Sequence, residues 1–258
     1  MQFVKYHGTG NDFILIDDRD GQFPAQDYAR VAALCHRRFG IGADGLILLQ
    51  PAAEPRYAFH MAYYNADGRP STFCGNGGRC TVSFAAELGL VAAGAAVDFT
   101  AADGPHQATY HSPAQVELVM RPAQAPKAVV LADGRQGFFL DTGSPHLILP
   151  VDAVAEVEVV PQGRQYRHDA QFAAIGGVNV NFLERVGARH LHVRTYERGV
   201  EDETLSCGTG VTAAALWAAP GHTVRVDTPG GTLQVSSSAD LGQVVLAGPA
   251  QRVYQGTF

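Results

Sequence analysis

The sequence predicts an α/β protein of the α+β type, in which short strands surround one dominant helix in each half of the chain. The runs Thr81–Leu88 and Val211–Ala219 are apolar and helix-like. The second run has almost no polar residue on any face, so we expect it to be buried on all sides. Most other segments are short strand-like stretches separated by turns. A mostly antiparallel sheet wrapped around a central helix accounts for both features.

The first half alternates strands with two helices. A helix is expected over Gln26–Phe39, with Gly40 as its stop. Gly40–Gly45 matches GxGxxG, but a helix precedes it and a strand follows, which is the reverse of a dinucleotide-binding loop. We therefore interpret it as a helix-to-strand turn and exclude a Rossmann fold. Strands are predicted at 2–7, 12–17, 46–49 and 57–64, and the second helix is expected to stop near Gly89.

The second half repeats this plan around its own apolar helix. Pro220 is expected to end that helix, because proline cannot continue the backbone hydrogen bonding. Strands are predicted at 128–131, 137–141, 146–149, 178–184, 190–196, 224–227, 232–236 and 244–246.

Composition narrows the functional class. The 258 residues are 46% hydrophobic and carry a formal charge of −6, so the chain lacks the basic footprint of a nucleic-acid-binding protein. No apolar run is long enough to span a bilayer, and the N-terminus lacks the apolar region of a signal peptide. We expect a cytoplasmic protein that binds a small molecule, without nucleic acid or membrane as a partner. A homodimer is left open.

Each apolar helix follows a Cys-Gly-Xaa-Gly motif. Cys74 opens the first motif and Cys207 the second. A thiol at the first turn of a helix lies near free backbone N–H groups and the positive end of the dipole. This position activates the sulfur as a base or nucleophile, and the same N–H groups can hold a substrate carboxylate.

Two activated thiols suit inversion at a carbon. A thiolate takes a proton from one face while a second thiol returns a proton to the other, and helix N-termini stabilise the enediolate-like charge. No phosphate-binding signature points to pyridoxal phosphate, so no cofactor is expected. The cysteine spacing lacks a CxxC pair, so no metal is expected either. We interpret Cys35 and Cys80 as packing residues.

The chain resembles the diaminopimelate epimerase family over nearly its whole length. Four segments carry the resemblance, in the order and spacing of that family. They are His7–Phe13, Asn65–Gly68 with Cys74–Gly77, Gly143–His146, and Tyr196–Gly199 with Cys207–Gly210. The Cys-Gly-Xaa-Gly motifs alone would also fit proline racemases, whereas the Gly-Asn-Asp-Phe, Asn-Ala-Asp-Gly and Glu-Arg-Gly motifs favour the epimerase.

The resemblance implies two pseudo-symmetric domains, 1–120 with 248–258 and 121–247. It implies cofactor-independent epimerisation of LL-diaminopimelate to meso-diaminopimelate, a step of lysine and peptidoglycan-precursor biosynthesis. Cys74 and Cys207 would be the acid–base thiols, with His146 and Glu197 assisting beside them. The substrate would be bound by the side chains of Asn11, Asn65, Asn179, Glu197 and Arg198 and by the backbone N–H groups of Gly75, Asn76, Gly208 and Thr209.

Two positions depart from the family pattern. Many members have Asn where this chain has Ser144, and Gln near the position of Gly45. Both would normally be polar groups on the substrate side, so these two positions carry no role in the implied site.

Other interpretations remain open for several residues. Asn11, Asn65 and Asn179 lie at turns or strand ends, where Asn is common for backbone reasons. Glu197 and Arg198 also fit a plain exposed ion pair. His190 and His192 share one face of a strand and resemble a metal pair, although an exposed polar face explains them as well. For the whole chain, the alternatives are a proline or hydroxyproline racemase and a cysteine-based metal- or redox-binding protein.

Overall fold

The computed structural model describes all residues from Met1 to Phe258. Through residue 120 the elements are β1 Gln2–Gly8, β2 Asn11–Asp17, α1 Tyr28–Cys35, β3 Gly45–Gln50, β4 His60–Asn65, β5 Pro70–Ser71, α2 Gly75–Glu87, β6 Ala96–Ala101, β7 Gly104–Ser112 and β8 Gln115–Met120. No helix is long and apolar enough to cross a membrane.

The remaining elements follow in the same manner. They are β9 Lys127–Val130, β10 Gln136–Asp141, β11 Pro145–Pro150, α3 Val159–Arg167, β12 Asn179–Gly187, β13 His190–Glu197, β14 Asp202–Thr204, α4 Gly208–Ala218, β15 Thr223–Thr228, β16 Gly231–Ser237, β17 Val244–Gly248 and β18 Gln251–Thr257. Two short 3₁₀ turns lie at Val154–Glu156 and Ala170–Ile175.

The chain forms two compact units. Unit 1 comprises Met1–Leu118 with Gly248–Phe258, and unit 2 comprises Val119–Ala247. In unit 1 the last strand, β18, pairs antiparallel with β1, so the C-terminal segment belongs to the sheet that contains the N-terminus.

The two units have the same strand-pairing plan. In unit 1, β1–β2 is antiparallel, β2–β3 parallel, β3–β4 and β4–β5 antiparallel, β4–β6 parallel, and β6–β7 antiparallel. Unit 2 repeats this series with β10–β11, β11–β12, β12–β13, β13–β14, β13–β15 and β15–β16. The predicted pair of pseudo-symmetric, mixed α/β halves is therefore confirmed.

The central helix of each unit is α2 or α4. In α4 the residues from Gly210 to Leu216 are buried without interruption, which confirms the expectation of burial on all sides for that stretch, whereas Trp217 and Ala218 are half-buried. Alanine favours the helix, and the chain leaves it at Ala219, just before Pro220. Helix α2 is buried from Asn76 to Ala85. Each central helix therefore holds its N-terminal cysteine on a packed support.

Two helices differ from the sequence prediction. Helix α1 ends at Cys35 rather than Phe39, because the His36 ring accepts the backbone N–H groups of Arg38 and Phe39 and folds the chain into a turn. Helix α3 was not predicted. Its sequence contains Pro161 and Gly163, residues of low helix propensity, and burial of Val159 and Tyr166 in the core of unit 2 stabilises it instead.

Candidate active site

Cys74 and Cys207 occupy the same position in their units, the N-cap of the central helix. Both have extended backbone angles, with φ of −127° at Cys74 and −108° at Cys207. Neither side chain caps its own helix, so each sulfur lies beside the first-turn N–H groups without occupying them. This geometry brings thiol and anion-binding backbone together, as the two motifs predict.

The other two cysteines are in a different environment. Cys35 is 2% exposed, and burial raises the pKa of its thiol to about 12. Burial also raises the pKa of the Cys80 thiol well above its usual range. Both therefore remain protonated at neutral pH, because a thiolate is strongly disfavoured in an apolar interior.

Strand register relates further positions of the two units. Phe13 pairs with Gly45 and Gly45 with Asn65 in unit 1, while in unit 2 His146 pairs with Asn179. Next to that pair, Val180 is opposite Tyr196, which places Glu197 opposite Asn179. Five positions of unit 1 therefore correspond to positions of unit 2: Asn11 to Ser144, Phe13 to His146, Gly45 to Asn179, Asn65 to Glu197, and Cys74 to Cys207.

In unit 1 the structure brings three of the predicted residues together. The Cys74 thiol donates to Oδ1 of Asn11 over 3.5 Å, and Nδ2 of Asn76 donates to the same oxygen over 3.3 Å. Asn65 lies exposed at the end of β4, where its backbone N–H donates to the carbonyl of Arg69 over 3.0 Å. The site of unit 1 is thus built around Asn11.

Two residues that the sequence analysis missed support this cluster. Arg79 is fully buried and donates through Nη2 to Oδ1 of Asn76 over 2.9 Å and to Thr9 over 3.2 Å. Asp44 accepts from Nδ2 of Asn11 over 2.7 Å. A charged residue within a buried helix was the signal that could have identified Arg79, because such residues are almost never fully buried without partners.

An ion-pair network holds Asp44. Arg37 donates to Asp44 over 2.6 Å and to Asp12 over 2.7 Å, and Asp12 also pairs with the buried Lys5 over 2.7 Å. Although burial opposes it, hydrogen bonding from Arg37 and Lys5 holds the pKa of the Asp12 carboxyl well below its usual range. Asp12 therefore stays ionised and anchors Arg37.

Gly45 is close to an aromatic ring. A Cβ atom there would lie 2.6 Å from Cε2 of Tyr63 and 2.5 Å from the carbonyl oxygen of Tyr64. Tyr63 alternates with Met61 and Asn65 along β4, so these three side chains share one face of the strand. Gly45 is the unit 1 equivalent of Asn179. In unit 1 the Tyr63 ring therefore lies where a side chain at residue 45 would be, whereas in unit 2 the equivalent position has the amide side chain of Asn179.

Unit 2 positions its amides through the backbone. Asn179 donates through Nδ2 to Ser144 Oγ over 2.9 Å and to the Pro145 carbonyl over 3.0 Å. Its Oδ1 accepts the backbone N–H of Arg198 over 2.8 Å. Three contacts fix this amide, and Ser144, which stands where many family members have Asn, is one of its partners.

Arg198 is anchored through one of its nitrogens. Nη1 donates to the carbonyl oxygens of Ile175 over 3.1 Å and Gly177 over 3.4 Å. A guanidinium has five N–H donors in a planar fork, so Nε and Nη2 remain to bind a carboxylate. Glu197 precedes it at the end of β13 and is half-buried.

His146 and Asn181 lie against the first turn of α4. A Cβ atom at Gly210 would lie 2.2 Å from Oδ1 of Asn181 and 3.3 Å from Cε1 of His146, so only glycine permits this approach. Beside it, Cys207 Sγ is 3.5 Å from the Thr209 hydroxyl, and the Thr209 carbonyl accepts from Thr142 over 2.9 Å. Asn181, a fully buried polar residue, was also missed by the sequence analysis.

One group in unit 2 has the chemistry of a metal ligand set. The ligand atoms of His190, His192 and Asp227 lie within 4.8 Å of one another. Asp227 already accepts from His190 over 2.7 Å and Thr232 over 2.6 Å, and pairs with Arg225 over 3.1 Å. The carboxylate thus belongs to an ion-pair network on the sheet, and no cysteine takes part in the group.

Comparison with known proteins agrees with this geometry. The sequence profile described as diaminopimelate epimerase matches residues 3–125 and 138–253. The diaminopimelate epimerase of Flavobacterium psychrophilum is 42% identical over 266 residues, covering 100% of both chains. That of Chlorobaculum tepidum is 43% identical over 257 residues, covering 97% of this chain and 98% of the relative.

Solved structures show the same fold. A probable proline racemase from Agrobacterium radiobacter K84 has a TM-score of 0.72 at 16% identity, covering 100% of this chain and 92% of that one. A predicted epimerase from Pseudomonas aeruginosa has a TM-score of 0.70 at 17% identity, covering 100% and 98%. The chain therefore has the two-unit fold of these solved structures. Its sequence profile match and its full-length relatives show that it belongs to the diaminopimelate epimerase family.

Proposed function

We propose that this protein interconverts LL- and meso-diaminopimelate without a cofactor, using Cys74 and Cys207 as its acid–base pair. The observation that carries the proposal is the equivalence of the two thiols, each at the N-cap of the buried central helix of its unit. Inversion requires one group to remove a proton and a second to return one, and the chain supplies one group from each unit.

The reaction has two proton transfers. One thiolate takes the α-proton, so that a C–H bond breaks, an S–H bond forms and the electron pair remains on the substrate as an enediolate-like anion. The other thiol then gives its proton to the opposite face of that carbon and becomes a thiolate. The backbone N–H groups of Gly75, Asn76, Gly208 and Thr209 stabilise the developing charge on the carboxylate, since helix N-termini favour anions.

The amino-acid group that does not react needs a polar site. We assign its carboxylate to Nε and Nη2 of Arg198, which can bind it bidentately. Asn11, Asn65 and Asn179 are assigned to the polar ends of the substrate, and Glu197 to an ammonium group. His146 assists from beneath the first turn of α4, as a neutral N–H donor.

A proline or hydroxyproline racemase is the second candidate, since a probable proline racemase has the same fold. A cyclic imino acid has only one carboxylate, so Arg198 would have no substrate group to bind. The family assignment and the Arg198 geometry both favour the linear substrate with two amino-acid ends.

Exchange of the substrate α-proton in deuterated water tests the proposal. Purified protein under reducing conditions is incubated with diaminopimelate or with proline, and deuterium incorporation is followed by mass spectrometry. We expect incorporation into diaminopimelate and none into proline. Incorporation into proline alone would identify a racemase, and incorporation into neither would overturn the proposed chemistry.

The same thiols support a proposal about the compartment. All four cysteines are free, and a mechanism that needs reduced sulfur suits the reducing cytoplasm, where we propose that the protein acts. A second copy of the chain is the proposed macromolecular partner, because β18 leaves the apolar side chains of Val253 56% and Tyr254 43% exposed. Light scattering after gel filtration tests this association.

A further inference from the structure

Four side chains form a continuous hydrogen-bond chain beside the first turns of α2, two from the helix (Arg79 and Asn76) and two from outside it (Asn11 and Asp44). Nη2 of Arg79 donates to Oδ1 of Asn76 over 2.9 Å. Nδ2 of Asn76 donates to Oδ1 of Asn11 over 3.3 Å, and Nδ2 of Asn11 donates to Oδ2 of Asp44 over 2.7 Å. The two middle members are amides, which can in principle be turned either way.

The two ends of the chain fix its direction. A guanidinium can only donate, and an ionised carboxylate can only accept. Asp44 therefore draws the NH₂ group of Asn11 toward itself and turns the Asn11 oxygen away. Arg79 draws the oxygen of Asn76, so that the NH₂ group of Asn76 faces Asn11. Both amide orientations thus depend on charged residues outside the Cys-Gly-Xaa-Gly motif or at its edge.

This direction decides what Cys74 faces. Its sulfur lies 3.5 Å from Oδ1 of Asn11, and a carbonyl oxygen accepts a thiol proton but repels a thiolate. Hydrogen bonding to the neutral form of an acid disfavours its ionisation. The Cys207 sulfur instead lies 3.5 Å from the hydroxyl of Thr209, and either of these two groups can be the donor. A thiolate at Cys207 can therefore accept a hydrogen bond from that hydroxyl.

We propose that Asp44 and Arg79 are positioning residues that hold Cys74 as a protonated thiol in the substrate-free protein. This rests on the proposed function. Cys74 then begins a turnover as the proton donor, and Cys207 begins it as the thiolate. After one turnover the two protonation states are exchanged, so a proton must return from Cys207 to Cys74 through solvent before the next turnover in the same direction.

Further charged side chains pair with Asp44, the acceptor end of this hydrogen-bond chain. Arg37 pairs with Asp44 and Asp12, and Asp12 with Lys5. On β1, the His7 ring accepts the backbone N–H of Gly10 over 3.4 Å. The charged and titratable side chains around this hydrogen-bond chain include Lys5, His7, Asp12, Arg37, Asp44, Arg79 and Cys80.

Alkylation of Cys74 reports its protonation directly. In a Cys207→Ala background, the rate of iodoacetamide modification of the Cys74 peptide is measured against pH by mass spectrometry. In Asp44→Asn, residue 44 can donate to the Asn11 oxygen, so the Asn11 amide can turn its NH₂ group toward the sulfur by giving up only the long 3.3 Å bond from Nδ2 of Asn76. We expect the midpoint of the pH profile to fall by roughly half a pH unit or more. Asp44→Glu keeps an acceptor-only end and should leave the midpoint near its starting value.

Removal of a negative charge alone would also shift the midpoint, and salt separates the two causes. The profiles are repeated at about 0.05 M and about 0.5 M salt, between which the screening length falls severalfold. A shift caused by amide orientation persists at high salt. An unchanged midpoint, a rise, or a shift that disappears at high salt overturns the proposal.

A further variant serves as a control for charge. Arg37→Gln removes the opposite charge next to Asp44 without contacting Asn11, so it should move the midpoint only through space and lose its effect at high salt. None of these measurements uses substrate. An alkylation result that overturns this proposal therefore does not affect the proposed activity, and a lack of epimerase activity does not affect the alkylation result.

Discussion

Asn181 donates a hydrogen bond to Nδ1 of His146 over 3.1 Å. The same NH₂ group donates to the carbonyl of Leu147 over 3.2 Å, and a carbonyl can only accept, so the orientation of the Asn181 amide is fixed. The imidazole therefore carries its proton on Nε2, a buried atom with no hydrogen-bond partner. Burial, with the charge of Arg198, lowers the pKa of His146 to about 3, so the ring stays neutral.

The neutral His146 makes stability depend on pH. Its folded-state pKa lies below the unfolded value of about 6.5, so the unfolded chain binds more protons between these values. The free energy of unfolding should therefore fall as pH decreases from about 6.5 toward 3, by up to about 1.4 kcal/mol per pH unit from this residue.

Urea unfolding of wild type and His146→Gln between about pH 7 and about pH 5 measures this contribution. The variant should lose stability less steeply than wild type as the pH falls. His222→Gln removes an exposed histidine and is the matched control, expected to follow wild type. Equal slopes in all three proteins would mean that His146 is not held neutral.

Replacement of either N-cap thiol should abolish epimerisation. Cys74→Ala and Cys207→Ala each remove one of the two proton-transfer groups, so turnover should fall by at least about a thousandfold. Cys35→Ala and Cys80→Ala are the matched controls and should stay within a few-fold in folded protein, because burial keeps those thiols protonated. Full activity in either N-cap variant contradicts the two-thiol mechanism.

Arg198 should determine selectivity for the second carboxylate. Lysine lacks that group, and Arg198 is half-buried, so a bound substrate that desolvates the guanidinium without giving it a partner binds at a cost. We expect lysine to be turned over at least about a thousandfold less efficiently than diaminopimelate. Arg198→Met should lower kcat/KM for diaminopimelate sharply and narrow this gap, since the penalty disappears with the charge.

Comparison of kcat/KM for both substrates in wild type, Arg198→Met and the exposed Arg189→Met tests this role. Arg189→Met should leave the ratio of the two substrates unchanged. The same unchanged ratio in Arg198→Met would mean that Arg198 does not bind the distal carboxylate.

The Tyr63 ring and Gly45 should be energetically coupled. A side chain at residue 45 meets both the Tyr63 ring and the Tyr64 carbonyl, so Gly45→Gln should destabilise unit 1 by roughly 1–3 kcal/mol through overpacking. Tyr63→Ala removes one of these two contacts. The double variant should therefore recover part of the loss, with a coupling energy of about 0.5 kcal/mol or more in a double-mutant cycle of urea unfolding. Strictly additive effects would show that the ring does not exclude a side chain at residue 45.

The sequence by itself determined the features that local order encodes. The apolar runs after Cys74 and Cys207 predicted both central helices, because a helix buried on all sides needs an apolar residue at nearly every position. The repeated Cys-Gly-Xaa-Gly motif predicted the two N-cap thiols, and motif order predicted the family. Helix α3 was missed, because tertiary packing overrides the low propensity of Pro161 and Gly163.

Only the tertiary structure decided which partners orient the site. Asp44 reaches Asn11 from 33 positions away, and Asn181 reaches His146 from 35. Sequence shows that an asparagine is present but not which end of its amide faces a sulfur or an imidazole. That orientation follows from the donor and acceptor groups that strand pairing and helix packing bring alongside it. Burial, which keeps His146 neutral and the Cys35 thiol protonated, likewise depends on neighbours that are distant in the chain.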